Sequence, residues 1–226
     1  MENISKMERA KKLIFGVVLF LLASSIFYAA YMLFQAPGGT ATIEGEQVKS
    51  DYILMLLQCV IGIVLMFTPR KVEKHFEIDI PNMLEIVYML FLFSVFFLGN
   101  VGDFYFHFLY FDDFLHIFSG GMFSALGFIL LDILTGIEKK NVRLRPFFDS
   151  FFAFCFSMMA GVVWEIYEFL VDGLLGTNMQ RFMTVQGEAF VGREALNDTM
   201  MDFIVSTIGA FVVAAMGYFY LRKKVS

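Results

Sequence analysis

Seven residues stand where a chain suited to lipid has no ordinary use for them. Asp112, His116, Glu165, Glu168, Asp172, Asp198 and Asp202 lie within or at the ends of long hydrophobic runs. A carboxylate at membrane depth is costly and faces a protein interior or a water-filled cavity, so such residues mark a site by default. Their spacing is helical: Asp112 and His116 are four apart, Glu165 and Glu168 three, Glu168 and Asp172 four, and Asp198 and Asp202 four. Positions three or four apart share one face of a helix. Three separate helices therefore each present one polar face.

Such a cluster needs positive charge, because burial and mutual repulsion both oppose ionised carboxylates. The basic residues near it in sequence are His116, Arg181 and Arg193, so a bound cation or retained protons must supply the rest. Oxygen-rich ligation suits Mg²⁺, Mn²⁺ or Ca²⁺, and one imidazole extends the choice to Zn²⁺ or Fe²⁺. The leading reading is a divalent-metal centre of one or two ions, with Asp112, His116, Glu165, Glu168, Asp198 and Asp202 as ligands and Asp172 at its rim. Asn197 and Thr199 flank Asp198 as supporting hydrogen-bond groups. Two other readings remain: interhelical hydrogen bonding of protonated carboxyls or a solvated helix-end cluster, and a proton or ion pathway.

Neighbouring polar residues carry plainer expectations. Asp113 points about 100° away from Asp112 on a helix and reads as a cap. His107 and Trp164 read as interfacial residues, His75 and Glu85 as solvated, and Asp132 and Glu138 as boundary residues at the opposite end of their span.

The elements that must hold this cluster follow from composition. Of 226 residues, 58% are hydrophobic and 17% charged, which is membrane-like. A helix needs about 20 apolar residues to cross the hydrocarbon layer. Six runs qualify, at 13–35, 52–68, 83–101, 114–135, 148–172 and 199–221. The reading is an all-α polytopic membrane protein, a single membrane domain over 1–226. The first run is too long for a signal-peptide core and lacks a cleavage site, so it is expected to be retained.

Basic residues orient the spans, since short translocated loops avoid Lys and Arg. With both termini cytoplasmic, fourteen of the seventeen basic residues fall inside, and only Lys49, Arg181 and Arg193 fall outside. The net charge of −5 then averages a basic inner face and an acidic outer one. This orientation puts the acidic cluster at the extracytoplasmic face. The segment 36–51, with Pro37, Gly38 and Gly39, is expected to be a connector, and 69–82, with Pro69 and Pro81, a surface turn. The outer segment 173–197 is long, Gly-rich, and interleaves Phe182, Met183, Val185 and Phe190 with polar groups. Loops of that length serve as lids or binding segments.

Several chemistries find no support. Cys59 and Cys155 lie mid-span without paired ligand spacing, which argues against a disulfide or a thiolate metal site. Ser119 in Ser-Gly-Gly lacks a strand-to-helix elbow. No phosphate-cradling Gly-rich loop, internal repeat or nucleic-acid module is visible.

The run D-D-F-L-H-I-F-S-G at 112–120, W-E-I-Y-E at 164–168, and N-D-T-M-M-D followed by I-V-S-T-I-G-A at 197–210 resemble the YjdF-like bacterial membrane proteins. The resemblance covers roughly 85–215. It implies a multi-span bacterial inner-membrane protein with a shared polar site at Asp112, His116, Glu165, Glu168, Asp198, Thr199 and Asp202, together with a Gln-Gly element matched here by Gln186 and Gly187.

For function, the residues favour a metal-dependent hydrolase or transferase acting on an amphiphilic or lipid-linked substrate among the membrane lipids. Metal would polarise an oxygen or activate water, with His116, Glu165 or Glu168 as the catalytic acid–base group and Arg181 or Arg193 engaging a phosphate. A cation- or proton-coupled transporter is the alternative, disfavoured because the inner halves of the fourth to sixth spans read as nearly all apolar. An accessory protein with a structural acidic cluster is a third.

Overall fold

The computed structural model describes residues 2–39, 47–108, 110–137, 145–184 and 186–225. Val185 and Glu138 lie outside the described residues, as do Lys139, Lys140 and Arg143, three of the fourteen basic residues assigned to the inner face. Eight α-helices follow one another: α1 Glu2–Gln35, α2 Lys49–Met66, α3 Thr68–Phe76, α4 Asn82–Leu92, α5 Phe104–His107, α6 Phe111–Ile137, α7 Pro146–Leu175 and α8 Asn197–Val225. A π-helical segment Phe93–Val101 extends α4, and a 3₁₀ turn Glu194–Leu196 precedes α8. Six helical stretches are long and apolar enough to cross a membrane: Lys6–Gln35, Lys49–Phe76, Asn82–Val101, Phe111–Thr135, Pro146–Leu175 and Glu194–Lys224. All six expected spans are thus present, with three in each of two compact units.

The first unit holds α1 to α5. Its helices bury single stripes: Val18, Leu22, Ser25 and Ala29 on α1, and Tyr52, Met55, Cys59, Gly62 and Met66 on α2. Exposed Phe20, Phe27 and Phe34 suit the opposite face of α1 to lipid. Gly62 permits a close approach, since a Cβ there would lie 2.8 Å from the Phe96 ring. The second span begins earlier than its apolar run because Asp51 accepts a hydrogen bond from the Val48 N–H at 2.8 Å and caps α2.

Two expectations for this unit are corrected. Pro69 does not open a surface turn: it sits in the first turn of α3, where a missing N–H costs nothing. The chain reverses later, at Glu77, whose φ is +54°. Glu85 is buried rather than solvated and pairs with Lys11 of α1. The π-helical turns were not foreseen. There the Gly102 N–H donates to the Phe97 carbonyl at 2.7 Å, and Asn100 Nδ2 donates to the Val95 carbonyl at 3.1 Å.

The second unit holds α6, α7 and α8, together with Asn178–Met183. Here main chains meet. A Cβ on Gly209 of α8 would lie 2.0 Å from the Ile117 carbonyl oxygen of α6, and one on Gly120 would lie 2.3 Å from the Ser206 carbonyl oxygen. Ser157 of α7 donates to the Gly120 carbonyl at 2.7 Å, and a Cβ on Gly127 would lie 2.7 Å from the Ala153 Cα. Small residues thus bring three helices to the separations that interhelical packing in lipid requires.

Candidate functional site

Each of these three helices delivers its acidic residues at the same end of the second unit. Asp112 and His116 occupy the first two turns of α6, Asp198 and Asp202 the first two turns of α8, and Glu165, Glu168 and Asp172 the last turns of α7. On α7 the buried positions Glu165, Glu168, Val171 and Asp172 alternate with exposed Val162, Val163, Ile166, Phe169 and Leu170. The polar face therefore turns inward and the apolar face outward, as the spacing predicts.

His116 is central on α6. Its Nε2 lies 3.7 Å from Asp112 Oδ1 and 3.7 Å from Asp202 Oδ1, beyond hydrogen-bond length in both cases. Ser206 of α8 places its hydroxyl 3.4 Å from His116 Nδ1 and 3.3 Å from the His116 carbonyl. Across the site, Glu168 Oε1 accepts from Trp164 Nε1 at 2.8 Å, and Glu165 Oε2 accepts from Gln180 Nε2 at 3.1 Å. Gln180 also donates to Thr199 Oγ1 at 3.1 Å, and Thr199 is itself a hydrogen-bond partner of Glu165. Trp164 is therefore a hydrogen-bond partner of the cluster, beyond the interfacial role expected of it.

Several carboxylate oxygens stay unsatisfied. Glu165 Oε1, Asp198 Oδ2 and Asp202 Oδ2 are buried with no hydrogen-bond partner among the described residues, although Glu165 and Asp202 are only 5% and 3% exposed. A buried acceptor left unpaired carries its full desolvation penalty. Donor atoms of Asp112, His116 and Asp202 lie within 4.8 Å of one another, as do those of Glu165, Glu168 and Asp202. Both groups are spaced closely enough to hold a metal ion.

The segment after α7 closes on this cluster in a defined way. Asp172 accepts from the Met179 N–H at 2.8 Å and the Gln180 N–H at 3.0 Å, one on each oxygen. Its carboxylate is thereby committed to holding the loop, which makes it a supporting rather than a ligating group. Arg181, at φ +44°, then reaches back with Nη2 3.2 Å from Asp112 Oδ2 and Nη1 3.3 Å from Asp198 Oδ1. Burial works against the Arg181 charge, but Asp112, Asp198 and Asp202 outweigh it and hold its pKa above the ordinary arginine value. Asn178 and Met183 exchange two hydrogen bonds that tie off the turn, at 2.7 and 3.2 Å.

Other expected residues lie apart. Arg193 is exposed just before the 3₁₀ turn, so Arg181 and not Arg193 is the arginine gathered with the carboxylates. Gln186 is exposed in the Thr184–Glu188 turn, which groups with the first unit and not with the cluster. His107 is exposed, with Nδ1 2.9 Å from the Asp103 carbonyl. Toward the far end of the unit the interior is less apolar than expected: Ser124 and Ser150 are buried with hydroxyls that have no partner among the described residues, and Ser157 is buried beside Gly120.

Gln180, Ser206 and the specific role of Arg181 escaped the sequence reading. Ser206 carried a usable signal, since it follows Asp202 by four residues on the same helical face. Gln180 carried none.

Comparison with known proteins agrees with the membrane architecture. A relative from Thermotoga maritima, described as "Uncharacterized protein", is 30% identical over 165 residues, covering 70% of this chain and 72% of its own length. No solved structure matches. A family model described as "Predicted membrane protein (DUF2238)" matches residues 13–223. The chain therefore belongs to this family, the YjdF-like group that its acidic motifs resemble.

Proposed function

We propose that this chain is a multi-pass protein of the bacterial cytoplasmic membrane that binds a divalent cation among α6, α7 and α8. With that cation it serves as a hydrolase or transferase on a lipid or lipid-linked substrate at the extracytoplasmic face. One observation carries the reading: Glu165 and Asp202 each keep a buried oxygen with no partner among the described residues, and each belongs to a group of side chains spaced closely enough to hold a metal ion. A cation is the species that satisfies such atoms together.

The residue roles follow from position. A divalent ion would polarise a phosphoryl or acyl oxygen and lower the cost of ionising water. In hydrolysis of a phosphate ester, the water oxygen bonds to phosphorus while the bond to the leaving alcohol breaks. One water proton passes to Glu165 or Glu168, and the leaving oxygen takes up one proton. Arg181 presents a planar fork suited to a phosphate, and Asp172 holds its loop in place.

A cation- or proton-coupled transporter is the second reading. The buried hydroxyls of Ser124, Ser150 and Ser157 favour it, because they add polar groups beyond the cluster. Lipid and envelope-precursor profiling of a deletion strain, complemented by wild type or by His116→Ala, separates the two. The enzyme reading expects a species that accumulates without an intact site. Unchanged lipids together with site-dependent ion flux in proteoliposomes would replace it with the transporter.

A further inference from the structure

We infer that the cation centre is dinuclear, with the Asp202 carboxylate bridging two ions. The inference rests on the reading of this site as a cation centre and adds the number of ions, their ligand sets and the bridge. Two donor groups meet the spacing for one ion each: Asp112, His116 and Asp202, and separately Glu165, Glu168 and Asp202. Metal–donor bonds of about 2.0–2.6 Å allow one ion to gather donors up to roughly 5 Å apart, and the donors of each group lie within 4.8 Å of one another. Asp202 is the one residue common to both.

Its geometry suits a bridge. Asp202 Oδ1 faces His116 Nε2 at 3.7 Å, while Oδ2 is buried and has no partner among the described residues. A carboxylate has two oxygens, and paired ions in two-metal sites sit about 3.5–4 Å apart. Glu165 supplies a second unpartnered oxygen, Oε1, to the other group. Glu168 has Oε1 engaged by Trp164 and keeps its second oxygen for a metal.

Charge decides between one ion and two. With Asp112, Glu165, Glu168, Asp198 and Asp202 ionised, and the Asp172 carboxylate taken up by the Met179 and Gln180 N–H groups, five negative charges face one guanidinium, that of Arg181. Two divalent ions balance the remaining four charges, whereas one leaves half of them uncompensated in a buried volume. The two positions also differ in chemistry. The group with His116 accepts Mn²⁺, Fe²⁺ or Zn²⁺, and the all-oxygen group favours Mg²⁺ or Mn²⁺. Mn²⁺ suits both and is the probe of choice.

Full-length protein in detergent, stripped with chelator and dialysed against MnCl₂, should bind two Mn²⁺ per chain and give an exchange-coupled electron paramagnetic resonance signal. His116→Ala and Glu168→Gln should each lower the count to one and abolish the coupling. Asp202→Asn should lose both ions. One Mn²⁺ per chain in the wild type, lost in both His116→Ala and Glu168→Gln, would overturn the pairing and leave the cation centre standing. Two uncoupled ions that persist in all three variants would place them elsewhere and overturn it as well. No bound Mn²⁺ would overturn the pairing and the proposed function together. The wild-type count and coupling decide the matter even where a variant fails to fold.

Discussion

The Ser206 hydroxyl addresses two atoms of His116 at once, standing 3.3 Å from its carbonyl and 3.4 Å from Nδ1. With its proton directed at the carbonyl, the hydroxyl oxygen accepts Nδ1–H and leaves the Nε2 lone pair facing Asp112 and Asp202. That is the tautomer a metal ligand needs. Ser206→Ala should weaken Mn²⁺ binding by about 10- to 100-fold, the usual effect of losing a partner that orients a ligand. Titration of the purified variant checks this, and wild-type affinity would assign the ring orientation to other contacts.

Arg181 competes with any cation for Asp112 and Asp198. Arg181→Gln should therefore raise divalent-ion affinity several-fold. It should also destabilise the chelated protein by about 1–2 kcal/mol, less than for a fully buried pair because the side chain is partly exposed. Thermal unfolding with and without Mn²⁺ reads both effects. Arg193→Gln is the control and should change neither.

Asp172 holds the Met179 and Gln180 N–H groups with both oxygens. Hydrogen bonds to a charged group are worth about 1.5–3 kcal/mol each, so Asp172→Ala should release this turn. Amide exchange over 178–181 should speed up by at least tenfold while α7 stays protected. Unchanged exchange would show that the Asn178–Met183 bonds suffice.

Gly209 is the place where α8 meets α6 main chain to main chain. Gly209→Ala should cost about 3 kcal/mol through forced separation of the helices and lower metal occupancy without altering any ligand. Gly161→Ala is the contrast, since a Cβ there meets nothing within 4 Å. Equal stability of the two variants would contradict the close packing.

The charge distribution makes its own demand on topology. Reporter fusions after residues 45, 75, 105, 142 and 185 should alternate outside and inside, starting outside. A cytoplasmic signal at 185 would overturn the proposed extracytoplasmic placement of the acidic cluster.

Much of this architecture was readable before any coordinates. The six spans were legible because lipid demands uninterrupted apolar length, and the clustered carboxylates because charge inside such runs stands out at helical spacing. Helix ends were less so. Asp51 looks like the end of a connector, yet an acidic side chain suits the first turn of a helix, and α2, α6 and α8 all start before their apolar runs. The helix Thr68–Phe76 was hidden because proline breaks a helix in its interior but not at its start. Glu85 looked solvated because its partner, Lys11, is 74 positions away in sequence. Gln180 and Trp164 act through neighbours on other turns or segments, and a neutral polar residue leaves no periodic mark.

The contact between Gly209 and Ile117 also bears on ion choice. Where peptide groups touch, the spacing between α6 and α8 is set by backbone thickness and cannot be retuned by repacking side chains. Asp112 and Asp202 thus project from supports a fixed distance apart, and the radius of an ion held in the proposed centre would depend on side-chain length. Exchanging aspartate for glutamate at either position would narrow the gauge by about one methylene. Selectivity of the proposed centre would accordingly be adjustable in steps, one carbon at a time, rather than continuously.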